Sequence, residues 1–209
     1  MRNLAHQLYR DHKRVLDLMP KHNPAPDLKL VVHRLFSDNA ARGKSAKVGG
    51  SELAYSGFAK NVLSFLPVNW REELDKINVT WRGCENWWLG YPFIALVELK
   101  LDDDGIRGHL KLNAEVGPIS SHKVRKGVIT MIAEAASARN MDHVQFQAGA
   151  SDKGRLYSRF LHKHSIALND VRDTDAMERK FAELIVDFKP VSELIADVIP
   201  DFFRFGELS

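Results

Sequence analysis

Glu98-Leu99-Lys100 is the first triplet in this chain whose residue types and spacing could do chemistry. On a strand, residues two apart share a face, so Glu98 could bind a divalent cation, Mg²⁺ or Mn²⁺, while Lys100 polarises a water or a phosphate. The same alternation also decorates an ordinary exposed strand, where a Glu and a Lys simply pair. A companion acid is needed, and Asp27 and Asp201 lie at the start and after the end of expected helices, far from Glu98. A second register would combine Asp104 or a neighbour with Glu115, but the residue two beyond Glu115 is Gly117, which cannot supply the cation.

The second candidate is an anion site. Ser120-Ser121-His122-Lys123-Val124-Arg125-Lys126 opens a helix, where the macrodipole and free amides already attract negative charge. Cations at Lys123, Arg125 and Lys126 are therefore unfavourable there unless an anion binds or Glu115 pairs with Arg125. Residues 1–60 add a basic arm, with 11 Lys and Arg against 5 Asp and Glu, whereas residues 61–209 carry 19 against 22. Arg42, Lys44 and Lys47 close that arm and are candidate contacts for a nucleic acid, whose binding would then weaken steeply with salt.

Other patterns are weaker. Gly43-Lys44-Ser45 resembles the end of a phosphate-binding loop, but Asp38 stands where a glycine is required. His162 and His164 lack a third metal ligand, so no metal site is assigned. Cys84 has no associated His, and a single cysteine excludes an internal disulfide and a multi-thiolate zinc site. Trp70, Trp81, Trp87 and Trp88 fall within 19 residues. Such density points to a core, and Trp87 or Trp88 is the candidate anchor for an interface, including one between copies of the chain.

The elements that position these residues follow from hydrophobic period. Residues 2–19 and a segment after Asp27 (Leu28, Val31, Val32, Leu35, Phe36) predict an N-terminal helical pair. Residues 37–57 have loop composition. Residues 61–66 predict a strand closed by Pro67, with a short helix from Trp70. Phe93–Leu101 and Leu110–Val116 alternate about an Asp102-Asp103-Asp104-Gly105 turn and predict an antiparallel hairpin. A helix capped by Ser120 or Ser121 ends near Asn140, 143–148 reads as a strand, 173–188 as an amphipathic helix, and 191–199 as a final apolar segment. The expected fold is α+β, a mostly antiparallel sheet with packed helices and the N-terminal helical pair. Residues 1–50 form a basic helical arm and loop, and 51–209 the α+β domain, or the two form one continuous domain. No long apolar run predicts a membrane span, and a cytoplasmic location is the expectation.

Residues 8–19 (Leu8-Tyr9-Arg10-Asp11-His12-Lys13-Arg14-Val15-Leu16-Asp17-Leu18-Met19), Phe65-Leu66-Pro67-Val68-Asn69-Trp70, the run Leu112-Asn113-Ala114-Glu115-Val116-Gly117-Pro118 and Arg125 together resemble the C-terminal half of bacterial nuclease-like proteins of the PD-(D/E)XK superfamily. The resemblance spans most of the chain in order, through short motifs. It implies the accessory half of such proteins without their catalytic half, so no catalytic residue carries over. It further implies a non-catalytic domain that contacts a nucleic acid or a protein partner, associated with phage defence or its antagonism. The alternative is a divergent metal-dependent nuclease using Glu98 and Lys100 with Glu115 or Asp104, since the element order of residues 61–148 is similar to the nuclease core. A structural or oligomerisation module is the third class.

Overall fold

The computed structural model describes residues 28–37 and 40–205. The expected helix over 2–19 and the Asp27 cap lie outside these residues. The described elements run α1 (Leu28–Phe36), β1 (Ser45–Val48), β2 (Ser51–Ala59), β3 (Val62–Pro67), α2 (Val68–Ile77), a 3-10 turn (Trp88–Gly90), β4 (Phe93–Leu101), β5 (Gly108–Val116), α3 (His122–Ala138), β6 (Ser158–Arg159), β7 (Ser165–Leu168), α4 (Thr174–Val198) and a 3-10 segment (Ile199–Phe205). The fold is α+β, and every strand pairing is antiparallel, in the order β1-β2-β3-β4-β5-β6, with β7 on β5 beside β6.

The loop expected over residues 37–57 is in fact a hairpin. Gly49 and Gly50 both take positive φ, 55° and 82°, which matches the tight turn that joins twisted strands. Its apolar residues are few because β1 is a short edge strand, and this left no alternation to read. The division expected at residue 50 therefore falls inside a turn between two paired strands of one sheet.

The β4–β5 hairpin forms as expected, with Ala95 opposite Ala114 and Val97 opposite Leu112. Pairing carries one face from Leu53 and Phe65 through Phe93, Ala95, Val97 and Leu99 to Leu110, Leu112, Ala114 and Val116, all buried. The four helices share a single hydrophobic cluster with this face. Helix α4 touches α1, α2, α3, β2, β5 and β7. Its stripe of Met177, Phe181, Leu184, Ile185, Phe188, Val191, Leu194, Ile195 and Val198 recurs every three or four residues, and Asp173 caps it by accepting from the Ala176 amide at 2.9 Å. The segments expected at 173–188 and 191–199 are thus one helix of 25 residues, continuing through exposed Pro190 because packing on both sides of that residue holds it.

The opposite face carries Glu98 and Lys100 on β4 and His109 and Lys111 on β5. It is wet around Lys100 and His109, but Ser64, Leu66, Ile94, Leu96 and Asn113 on it are buried. The Trp88–Gly90 turn accounts for part of this, since the Trp88 ring lies 4.0 Å from where a Cβ on Gly57 would sit. The strand expected at 143–148 shrinks to one bridge, Val144 with Leu161, because β6 and β7 already occupy the edge of β5. Between those two strands the Asn113 side chain replaces the ladder: it accepts from the Leu161 amide at 3.2 Å and donates to the Leu161 carbonyl at 3.3 Å.

Candidate functional site

Helix α3 begins at Ser121, whose hydroxyl accepts from the Val124 amide at 3.4 Å, so this residue is committed to the cap. Lys123 and Lys126 project into solvent. Arg125 does not, which corrects its assignment to an exposed basic surface: it is 2% exposed and lies on the helix face of Val128, Ile129 and Ile132. Its Nε donates to the Gly117 carbonyl at 3.3 Å, Nη1 to the Ala150 carbonyl at 2.7 Å and Nη2 to the Ser158 hydroxyl at 2.6 Å. All three acceptors are neutral. Burial, and then the nearby Arg155, pull this guanidinium below its ordinary value.

Glu115 is not the partner of Arg125 either. It accepts from Arg159 Nε at 3.2 Å, across the β5–β6 pairing. Arg125 instead pins the 147–155 loop onto α3, and His122 Nε2 adds a 2.9 Å contact to the Ser151 carbonyl. The result joins two stretches remote in sequence, 115–126 and 147–159, which together hold six Lys and Arg (123, 125, 126, 153, 155, 159) against Glu115 and Asp152. Lys153, Arg155 and Arg159 were missed in the sequence. The run Lys153-Gly154-Arg155-Leu156-Tyr157-Ser158-Arg159, basic with an aromatic inside it, was the available signal.

Arg42, Lys44 and Lys47 do not join this surface. Lys44 bonds to the Ser37 hydroxyl, and Lys47 lies on β1 opposite Glu52, at the far edge of the sheet. Four strand spacings separate β1 from β5, about 19 Å.

The residues of the metal reading are dispersed. Glu98 and Lys100 share the wet face and pair with each other at 2.5 Å. Glu115 sits opposite Ile94, four residues along β4 from Glu98, which is about 13 Å. That separation is too great for one cation. Asp104 belongs to the hairpin turn, accepting from the Ile106 and Arg107 amides at 2.9 and 2.8 Å and from Arg107 Nε at 2.7 Å. These bonds, the Arg107 amide foremost, hold its carboxyl down at about 2.

The tryptophans divide. Trp70 and Trp81 are core, whereas Trp87 and Trp88 are half-buried. The Trp87 ring occupies the space where a Cβ on Gly117 would be, so this glycine is required by close approach. Trp87 also lies 6.0 Å from the exposed ring of Tyr157. The Trp88 indole N–H is buried without an acceptor.

Cys84 is fully buried, and its thiol is pushed up to about 12, by burial first and then by the charge of Glu85. It is no nucleophile at neutral pH. Because the folded value lies above the ordinary 9.0, the unfolded chain loses this proton first, so the stabilising contribution is intact below pH 9 and is lost as pH rises from 9 toward 12. Urea unfolding at pH 8, 9, 10 and 11 is expected to show that decline, and a smaller one in Cys84→Ala. An equal decline in both proteins would place its cause elsewhere, Tyr91 being the next group, since burial and its bond to Asp75 push it up to about 12.

Among the described residues no helix is long and apolar enough to cross a membrane. Comparison of the chain with protein-family models finds no match, and neither do searches of curated proteins and of solved structures.

Proposed function

We propose that this protein is a non-catalytic nucleic-acid-interaction domain that meets the phosphate backbone through the surface where α3 and the 147–159 segment join. The observation that carries this reading is the excess of cations there: Lys123, Lys126, Lys153, Arg155 and Arg159 outnumber Glu115 and Asp152, with Arg125 buried behind them. Lys123 stands in the first turn of a 17-residue helix, where the dipole opposes it, and Lys126 follows at the start of the second turn. A polyanion reverses that penalty and uses the same amides. The resemblance to the accessory half of PD-(D/E)XK nuclease-like proteins agrees with a binding role, and a link to phage defence follows by association with that family.

The test is fluorescence anisotropy with labelled single- and double-stranded DNA and RNA over a salt series. The double variant Lys123→Glu/Lys126→Glu, both exposed, is expected to bind roughly 30-fold more weakly at low salt and to flatten the log–log salt slope by about two for single strands or duplex. Unchanged affinity in that variant sinks the assignment of this surface, and no binding by the wild type at low salt sinks the function.

A further inference from the structure

The end of β5, β6 and the 147–155 loop enclose a cavity of about 220 Å³ lined by Glu115, Gln147, Arg155, Tyr157, Ser158 and Arg159. We infer that this cavity receives a terminal phosphomonoester of a nucleic-acid strand, an inference that rests on the function proposed above and adds end recognition to it. Four features support it.

The first is uncompensated charge. Arg125 stands directly behind the cavity, bonded through Ser158 and Ala150, which both line it, and none of its bonds reaches a carboxylate. The Arg155 side chain makes no hydrogen bond or ion pair among the described residues. Glu115 takes up only Nε of Arg159, so both terminal nitrogens of that guanidinium face no partner among the described residues. Three guanidinium groups therefore surround one carboxylate. A dianionic monoester balances this excess better than a singly charged diester does.

The second feature is size. At about 220 Å³ the cavity lies below the range of roughly 300 Å³ and more that holds a whole small ligand. It suits a phosphoryl group and its ester oxygen, with the rest of the strand outside. Third, the donors suit a phosphate: the Gln147 amide and two arginine forks supply the planar, bidentate geometry that phosphate oxygens accept. Fourth, the rim carries a stacking surface. Tyr157 is 44% exposed and packs 6.0 Å from Trp87, and Leu156 beside it is 56% exposed, so an unpaired terminal base has an aromatic face to lie on.

The experiment compares single-stranded 20-mers of one sequence bearing a 5′-phosphate, a 3′-phosphate or hydroxyls at both ends, by competition anisotropy with wild type, Arg155→Ala and Arg159→Ala. One phosphorylated end is expected to bind at least about tenfold tighter than the hydroxyl strand, with the preference lost in both variants. The Lys123→Glu/Lys126→Glu protein is expected to weaken all three strands alike and to keep the preference. Both arginines are exposed, so folding survives their truncation, and circular dichroism checks this. Equal wild-type binding of all three strands overturns the inference while leaving nucleic-acid interaction in place. A preference that persists in both variants also overturns it, by moving end recognition elsewhere. Binding of none of them overturns both readings. Equal retention of a phosphoserine peptide would overturn the assignment to a strand end.

Discussion

Trp70→Ala is expected to destabilise the protein by about 4 kcal/mol, within the range for emptying a fully buried tryptophan site. Trp70 is 0% exposed at the point where α2, β4 and α4 converge. Its ring meets Phe93 edge-on at 5.3 Å and Phe188 at 5.8 Å, and Phe93 in turn meets Phe202 at 6.2 Å. The indole N–H donates to the Ser192 carbonyl at 2.8 Å, two residues past Pro190. Truncation thus removes a large ring from a close-packed cluster and also takes the 2.8 Å indole bond from the Ser192 carbonyl, which keeps the longer one from Asn69 Nδ2 at 3.4 Å. For a domain of this size the midpoint of thermal unfolding should fall by roughly 8–16 °C. Trp70→Phe keeps much of the packing and loses the hydrogen bond, so its cost should be about 1–2 kcal/mol. If the phenylalanine variant costs as much as the alanine one, the hydrogen bond and not the ring volume dominates this site.

Arg125→Ala should cost about 3 kcal/mol, and for a different reason. Among the described residues the guanidinium is the one group bonded to Gly117, Ala150 and Ser158 alike, and so it ties the end of β5 to the 147–159 stretch. Charge-assisted bonds of this kind contribute about 1.5–3 kcal/mol each where they form, offset by the cost of bringing the cation out of water. Arg125→Met separates the two contributions. It fills the space without charge, and the Ala150 carbonyl keeps its 2.8 Å bond from Ser158. Denaturant melts should place it nearer to wild type, at about 1–2 kcal/mol below it. A methionine variant more stable than wild type would mean that the buried cation is retained at the expense of stability, which is the pattern of a binding determinant. Loss of 3 kcal/mol in both variants would assign Arg125 a purely architectural role.

The fold was legible wherever one element buries one face with a clean period. The β4–β5 hairpin, the α3 stripe and the Asn140 terminus, with φ of 53°, all follow from alternation, spacing and turn chemistry. The β1–β2 hairpin was not legible, because short edge strands carry little apolar residue and two adjacent glycines serve hairpin turns and linkers alike. The split edge of β5 was also hidden, since nothing local announces that the Asn113 side chain will take over a ladder position. At the site, reading 122–126 as one basic turn treated charge as sufficient for exposure. Yet Arg125 is spaced 4 and 7 residues before Ile129 and Ile132, on the stripe itself, and that periodicity was the warning. Arg155 and Arg159 come to the same surface through tertiary contacts across some 30 residues, and no spacing rule connects such positions.

The position of α4 in the chain has a consequence for synthesis. Among the described residues all seven strands are complete by Leu168, but the helix that seals them to α1 and α2 ends only at Val198. A ribosome adding about 5–20 residues per second leaves the apolar side of the sheet without that cover for roughly 2–6 s after its last strand is made. During that interval the short β1 and the interrupted edge of β5 are open to pairing with other nascent chains. A chain truncated between Leu168 and Val198 would leave that apolar face bare, and light scattering of the truncated product is expected to show aggregate rather than a smaller domain.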